Sequence, residues 1–226
     1  MDQKTVCISG VSRGIGFELA KRFLRSNFKV IGISRADAEP GLSSHENYHH
    51  VKANIAEADG VGKVKNAVKE FGSLNILINN AATLLYKPFK EISRNELDHI
   101  YKVNVFAPFF LTQCLYELME NCHTINISSV GGVENSLKFP GLSAYSSSKA
   151  ALNCLTQMWA EEFKDTDHTF NCLALGSVQT EMFNEAFPGV DASCTPNEMA
   201  EYIFYFAINS SKVQNGKIIS VSRSNP

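Results

Sequence analysis

The segment SAYSSSKAAL, residues 143 to 152, sets a phenol, Tyr145, and an ammonium, Lys149, four positions apart among small residues. On a helix that spacing puts both side chains on one face. A free tyrosine ionises near pH ~10 and is a poor proton shuttle at neutrality, whereas a neighbouring cation favours the phenolate and lowers that value. The pair is therefore a candidate acid/base couple; the alternative is two polar groups on a solvated helix end. A second stretch, SGVSRGIGFELA, carries Gly10, Gly14 and Gly16 just before a helical pattern. Glycine permits a tight turn and close backbone approach, and a helix N-terminus offers amides and partial positive charge to an anion. This loop is read as a pyrophosphate cradle, although its spacing departs from G-x-G-x-x-G.

The end of the second strand-like run, VIGISRAD, has Ser34 where an acidic side chain would accept hydrogen bonds from a ribose 2′-hydroxyl. Arg35 follows it, and Arg13 lies in the glycine loop. Two guanidiniums near one ribose suit a 2′-phosphate, so NADP is expected rather than NAD, with Asp37 as the acidic alternative.

These groups need elements to hold them. Short β-branched runs (TVCIS, KVIGIS, YHHVKA, LNILIN, HTINIS, TFNCLAL, KIISVS) alternate with helical patterns at about 15–26, 59–71, 95–120, 144–163 and 197–208. Such alternation predicts an α/β fold, a doubly wound parallel sheet with helices on both faces, over 1–226 as one domain. Loops beyond the carboxyl ends of strands line the crevice in such sheets, which makes VGGVENSLKFPGLS and NEAFPGVDASCTPN the candidate site walls.

Tyr145 and Lys149 fall into order with SGVSRGIG, NNAA at 79 to 82 and INISS at 125 to 129. In these motifs the chain resembles the short-chain dehydrogenase/reductase family in its compact single-domain branch, with a Rossmann-like fold, over nearly its whole length. The resemblance implies a catalytic set of Asn104, Ser129, Tyr145 and Lys149, with Ser129 preferred to Ser128 because Gly132 follows it by three. It implies cofactor contacts from Gly10, Ser12, Arg13, Gly14, Ile15 and Gly16, from Ser34 and Arg35, and from Asn54 and Ile55 at the adenine. Asn80 and Ala81, Tyr145 and Lys149, and Gly176, Val178 and Thr180 complete the implied cofactor site, while Asn79 to Ala81 would also stabilise the sheet. It implies hydride transfer between NADP(H) and a carbonyl or alcohol, Tyr145 exchanging the proton, Lys149 holding the nicotinamide ribose and Asn104 anchoring a water. A cofactor-binding sensor without turnover is the competing reading.

The chain departs from the family pattern at Ala82 and Leu175, which stand where glycine and proline are usual. About 180–196 forms a short substrate loop with Met182, Phe183, Phe187 and Pro188, whose side chains either cover an apolar substrate or, as is expected of them first, pack on the neighbouring helix. Pairing of long helices through Leu152, Leu155 and Trp159 would give a homodimer or homotetramer.

With 21 basic and 23 acidic residues, a net charge of −2 provides no field for nucleic acid or membrane. The start MDQKTVCISG lacks the pattern of a secretory leader, and no apolar run could span a bilayer, so a cytoplasmic protein acting on a small molecule is expected. Six scattered cysteines are expected to be reduced and buried, and six histidines, with His49 and His50 ahead of a strand, show no metal-ligand spacing.

Overall fold

The computed structural model describes residues 3–223; Met1, Asp2 and 224–226, which the expected domain and the last segment include, lie outside the described residues. Seven strands form one parallel sheet: β1 (Thr5–Ser9), β2 (Lys29–Ser34), β3 (Tyr48–Lys52), β4 (Leu74–Asn79), β5 (Met119–Ser129), β6 (Thr169–Leu175) and β7 (Ile218–Val221). Their order is β3-β2-β1-β4-β5-β6-β7. The chain winds outward from β1 in one direction and from β4 in the other, so a crevice opens beyond the carboxyl ends of this central pair. The sheet is the doubly wound α/β arrangement expected from the sequence.

The helices are α1 (Gly14–Arg25), α2 (Pro40–Ser43), α3 (Ala58–Phe71), α4 (Arg94–Tyr101), α5 (Ala107–Leu115), α6 (Ser143–Glu162), α7 (Glu181–Ala186) and α8 (Pro196–Asn209). Alternation along each strand feeds two cores. Val6, Ile8, Ile125, Ile127 and Leu173 pack with α1 and α8, where Phe23 meets Phe28 and Phe204 edge-on at 5.0 and 4.9 Å. Cys7, Ile31, Ile33 and Leu77 pack on the other face against Val64 and Val68 of α3 and Leu111 and Leu115 of α5.

The long helix expected over 95–120 is interrupted. A π-helical turn, Lys102–Phe106, joins α4 to α5, and β5 begins at Met119 rather than His123. Pro108 is the cause: it has no amide to give the Asn104 carbonyl and its ring would collide with that carbonyl in a regular helix, so the ladder widens by one residue. His49 and His50 lie within edge strand β3, paired with Ile31 and Gly32, rather than ahead of it. Leu152 and Trp159 are buried in the protein's own core, while Leu155, packing beside Trp159, is only partly buried. Cys7, Cys122 and Cys172 are buried as expected, whereas Cys154 is exposed. Among the described residues no helix is long and apolar enough to cross a membrane.

His123 is a buried histidine in β5 whose Nδ1 donates to the Ala207 carbonyl at 3.0 Å while Nε2 accepts from Asn171 at 3.1 Å. Burial pushes it down to about 4, opposed by the bond to Ala207. An unfolded histidine takes up its proton near 6.5, so the unfolded state binds more protons between the two values and stability falls as pH falls through that window. The wild-type protein should lose about 2 kcal/mol between pH 7 and pH 5 from this group. Urea titrations of wild type and His123→Asn at both pH values check this: a slope shared by both proteins contradicts the assignment.

Candidate active site

Ser9, the last residue of β1, organises the floor of the crevice. Its hydroxyl accepts from the amides of Asn80 and Ala81 at 3.0 Å each, and the Asn80 side chain donates back to the carbonyls of Ser9 and Gly10. Deeper in the sheet, Asn79 donates to Asn126 at 2.8 Å and to Thr112 at 3.2 Å, and Asn126 donates to Thr156 of α6 at 2.8 Å. This buried polar ladder ties β4, β5 and both neighbouring helices together directly beneath the cleft.

The cleft has a volume of about 850 Å³, enough for a dinucleotide half and a substrate half. Gly10 turns the chain at φ 79°, and a Cβ there would lie 3.0 Å from Ala81 Cα, so only glycine fits. Helix α1 then starts with no side-chain cap and no acidic residue in its first turn, leaving its leading amides to the cleft. Ser12, Arg13, Gly14 and Ile15 border the cleft, as do Ser34, Arg35, Asn54, Ile55, Asn80 and Ala81, and Gly176, Val178 and Thr180. Gly16 does not: it is buried, and a Cβ on it would stand 2.1 Å from the Gly10 carbonyl oxygen. Its hydrogen allows α1 to pack onto the strand end, not an anion to approach. The uncapped helix start, the glycine turn and the roomy cleft suit a dinucleotide.

At the end of β2, the Ser34 hydroxyl donates to the Ala36 carbonyl at 2.8 Å and so accepts from His50 Nε2 at 2.9 Å. Asp37 is turned away from the cleft to Lys52, at 2.6 Å, and this ammonium holds its carboxyl below the usual carboxylate range. The cleft wall here therefore presents Ser34 and the exposed Arg35 with no carboxylate beside them. Across the cleft, Arg13 pairs with Glu185 of α7 at 3.1 Å, an exposed contact of modest strength.

In the other half, α6 brings Tyr145 and Lys149 to the cleft wall, and β5 ends with Ser129 beside them. The Ser129 hydroxyl accepts from the Gly131 amide at 3.3 Å and lies close enough to the Tyr145 hydroxyl to favour its ionised form. Ser128 is buried and donates to the Lys149 carbonyl instead. Lys149 Nζ donates to the Ile127 carbonyl at 2.9 Å and lies 5.8 Å from the Tyr145 ring centre. Burial pushes the Tyr145 phenol up to about 12, with the Ser129 bond opposing it, and pushes Lys149 down to about 8. Lys149 is not among the groups that shift the phenol in this structure; burial raises it and Ser129 alone opposes that rise. Asn104 stands behind the wall in the π turn, clamping the Thr83 backbone at 2.8 and 2.9 Å and the Ser148 hydroxyl at 3.0 Å. Both its amide hydrogens are used, so its side chain acts on position rather than at the reacting atoms.

In the loop after β6 the less expected of the two arrangements is found: Met182, Phe183 and Phe187 border the cleft, and Phe187 meets Tyr86 at 5.1 Å and Phe183 at 5.2 Å. Sequence reasoning missed Ser9, Tyr86 and Glu185; only Ser9, next to Gly10, carried a signal.

The family model of short chain dehydrogenases matches residues 4–191. The chain is 29% identical over 197 residues to an L-2,3-butanediol dehydrogenase of Corynebacterium glutamicum, covering 80% of this chain and 74% of that one. A ligand-free aldohexose dehydrogenase of Thermoplasma acidophilum superposes with a TM-score of 0.85 at 26% identity, over 97% of this chain and 92% of that chain. The structure of ElxO with NADP bound superposes with a TM-score of 0.84 at 25% identity, over 97% of each chain.

Proposed function

The chain belongs to the short chain dehydrogenase family, and from that premise we propose that it is an NADP(H)-dependent oxidoreductase interconverting a carbonyl and an alcohol, with Tyr145 as the proton-exchanging group. The observation that carries the reading is the convergence of Ser129, Tyr145 and Lys149 on one wall of the cleft whose far end holds the glycine turn and Arg35. The nearby solved relative with NADP bound supports the choice of cofactor.

When bound, the reduced nicotinamide supplies hydride to the carbonyl carbon. Everything else falls to the chain. The neutral Tyr145 phenol donates its proton to the carbonyl oxygen, turning C=O into CH–OH as the phenol becomes phenolate. Ser129, which favours the ionised phenol, steadies the developing charge there and orients the substrate oxygen. Lys149 keeps one hydrogen on the Ile127 carbonyl and has two left for the cleft, where its ammonium offsets the phenolate and can hold a ribose hydroxyl. Asn104 fixes Thr83 and Ser148, the supports of both cleft walls. Burial holds the Tyr145 phenol protonated at neutral pH, so the proton needed for carbonyl reduction is in place there.

Absorbance-monitored NADPH oxidation over a panel of neutral ketones and aldehydes tests this. Turnover with at least one carbonyl, faster with NADPH than with NADH, is expected. NADPH binding without turnover on any of them would instead fit a sensor on the same fold.

A further inference from the structure

Three separate segments wall the reacting half of the cleft, and all three present apolar or aromatic faces to it. Tyr86 comes from the loop after β4, Phe139 and Leu142 from the loop before α6, Phe183 from α7 and Phe187 from its C-terminal cap. Tyr86 is 54% exposed and Phe139 54%, high values for large rings that converge on one cavity beside Ser129 and Tyr145. Exposed apolar surface gathered in a concavity marks a surface that a ligand covers. The Tyr86 and Phe187 rings are tilted at 57° and Phe183 and Phe187 at 42°, so they offer faces and edges to a flat guest.

Charge narrows the guest further. The Lys and Arg side chains bordering the cleft are Arg13, Arg35 and Lys149. Arg13 and Arg35 lie at the glycine-loop end, and Lys149 is buried against Ile127. Glu181 and Glu185 also lie at the glycine-loop end, Glu181 beside Gly14 and Glu185 paired with Arg13 at 3.1 Å, so they belong to the dinucleotide half. A carboxylate or phosphate seated among Tyr86, Phe139 and Phe183 would be stripped of water with no arginine beside it, which discriminates against a charged substrate.

Building on the reductase reading, we propose that the substrate is a neutral, flat aromatic ketone, packed against the Tyr86–Phe187 ring pair with its carbonyl on Ser129 and Tyr145. Sugars, acidic ketones and phosphopantetheine-linked acyl groups are disfavoured by the same walls.

The experiment compares three methyl ketones with NADPH: 2-acetylnaphthalene, its ring-carboxylated analogue and acetoin. Calorimetry of 2-acetylnaphthalene with the cofactor-loaded protein runs alongside. The neutral naphthyl ketone should be preferred in kcat/KM by at least about tenfold over each of the others. Phe187→Ala should raise its KM about tenfold with a smaller effect on kcat, and Phe187→Tyr should restore it. Equal or better turnover of acetoin or of the carboxylate overturns the substrate class and leaves the reductase reading intact. Silence with all three while calorimetry detects the naphthyl ketone keeps the aromatic site and sinks the reductase reading. Silence without binding overturns the inference.

Discussion

Tyr145→Phe is expected to lower carbonyl reduction by about 10³-fold while NADPH still binds, because one proton donor is lost and the dinucleotide half is untouched. The ring of phenylalanine fills the same space, so the loss reads the hydroxyl alone. Ser129→Ala should cost less than Tyr145→Phe, since its hydroxyl supports the phenol oxygen rather than supplying the proton. The wild-type pH profile carries an independent signature. Tyr145, pushed up to about 12, stays protonated through the neutral range, so reduction should not lose its donor there. Lys149, pushed down to about 8, loses its charge above that value. Reduction should therefore hold steady below pH ~8 and decline above it, whereas alcohol oxidation, which needs the phenolate, should rise with pH. Steady-state rates of both variants and a wild-type profile in each direction check this; an acid limb in reduction near neutrality would contradict the phenol assignment.

Removing the guanidinium at the end of β2 should have the second largest effect. Arg35 stands exposed at the cleft with Ser34 beside it, while Asp37 is occupied by Lys52. A charge-assisted bond to a 2′-phosphate contributes about 1.5–3 kcal/mol, so Arg35→Ala should weaken NADPH roughly 10- to 100-fold and leave NADH nearly unchanged. Arg13→Ala should act in the same direction but by less, because Arg13 must first leave Glu185 and Glu185→Gln should then tighten NADPH slightly. Fluorescence titrations with both cofactors decide it. Equal losses for NADPH and NADH would mean that Arg35 does not read the 2′ position.

The strands LNILIN and TFNCLAL were legible to the residue, since both are apolar runs bounded by polar turns and buried on both faces of a parallel sheet. So were the glycine loop and the Tyr145 helix, whose residue types carry their meaning in short spacings. What periodicity could not disclose was the break at Lys102–Phe106: the pattern runs through Pro108, and only the clash with the Asn104 carbonyl widens the turn. Gly16 looked like its neighbours in the loop, yet its contact is with the Gly10 carbonyl rather than the cleft, a distance fixed by tertiary packing. Sequence reveals that a cation lies four residues from Tyr145, but the burial that raises the phenol belongs to the assembled fold. Likewise the direction of Phe183 and Phe187 depends on Tyr86, nearly a hundred residues earlier in the chain.

The central claim is direct transfer from the nicotinamide to a carbonyl carbon with Tyr145 closing the proton balance. The measurement that tests it most directly uses NADPH deuterated at the transferring ring carbon, a neutral aromatic ketone and mass spectrometry of the product. One deuterium on the carbinol carbon with wild type, and about 10³-fold less labelled alcohol with Tyr145→Phe, is the predicted result. Alcohol formed without deuterium, or labelled product undiminished in the variant, would contradict it.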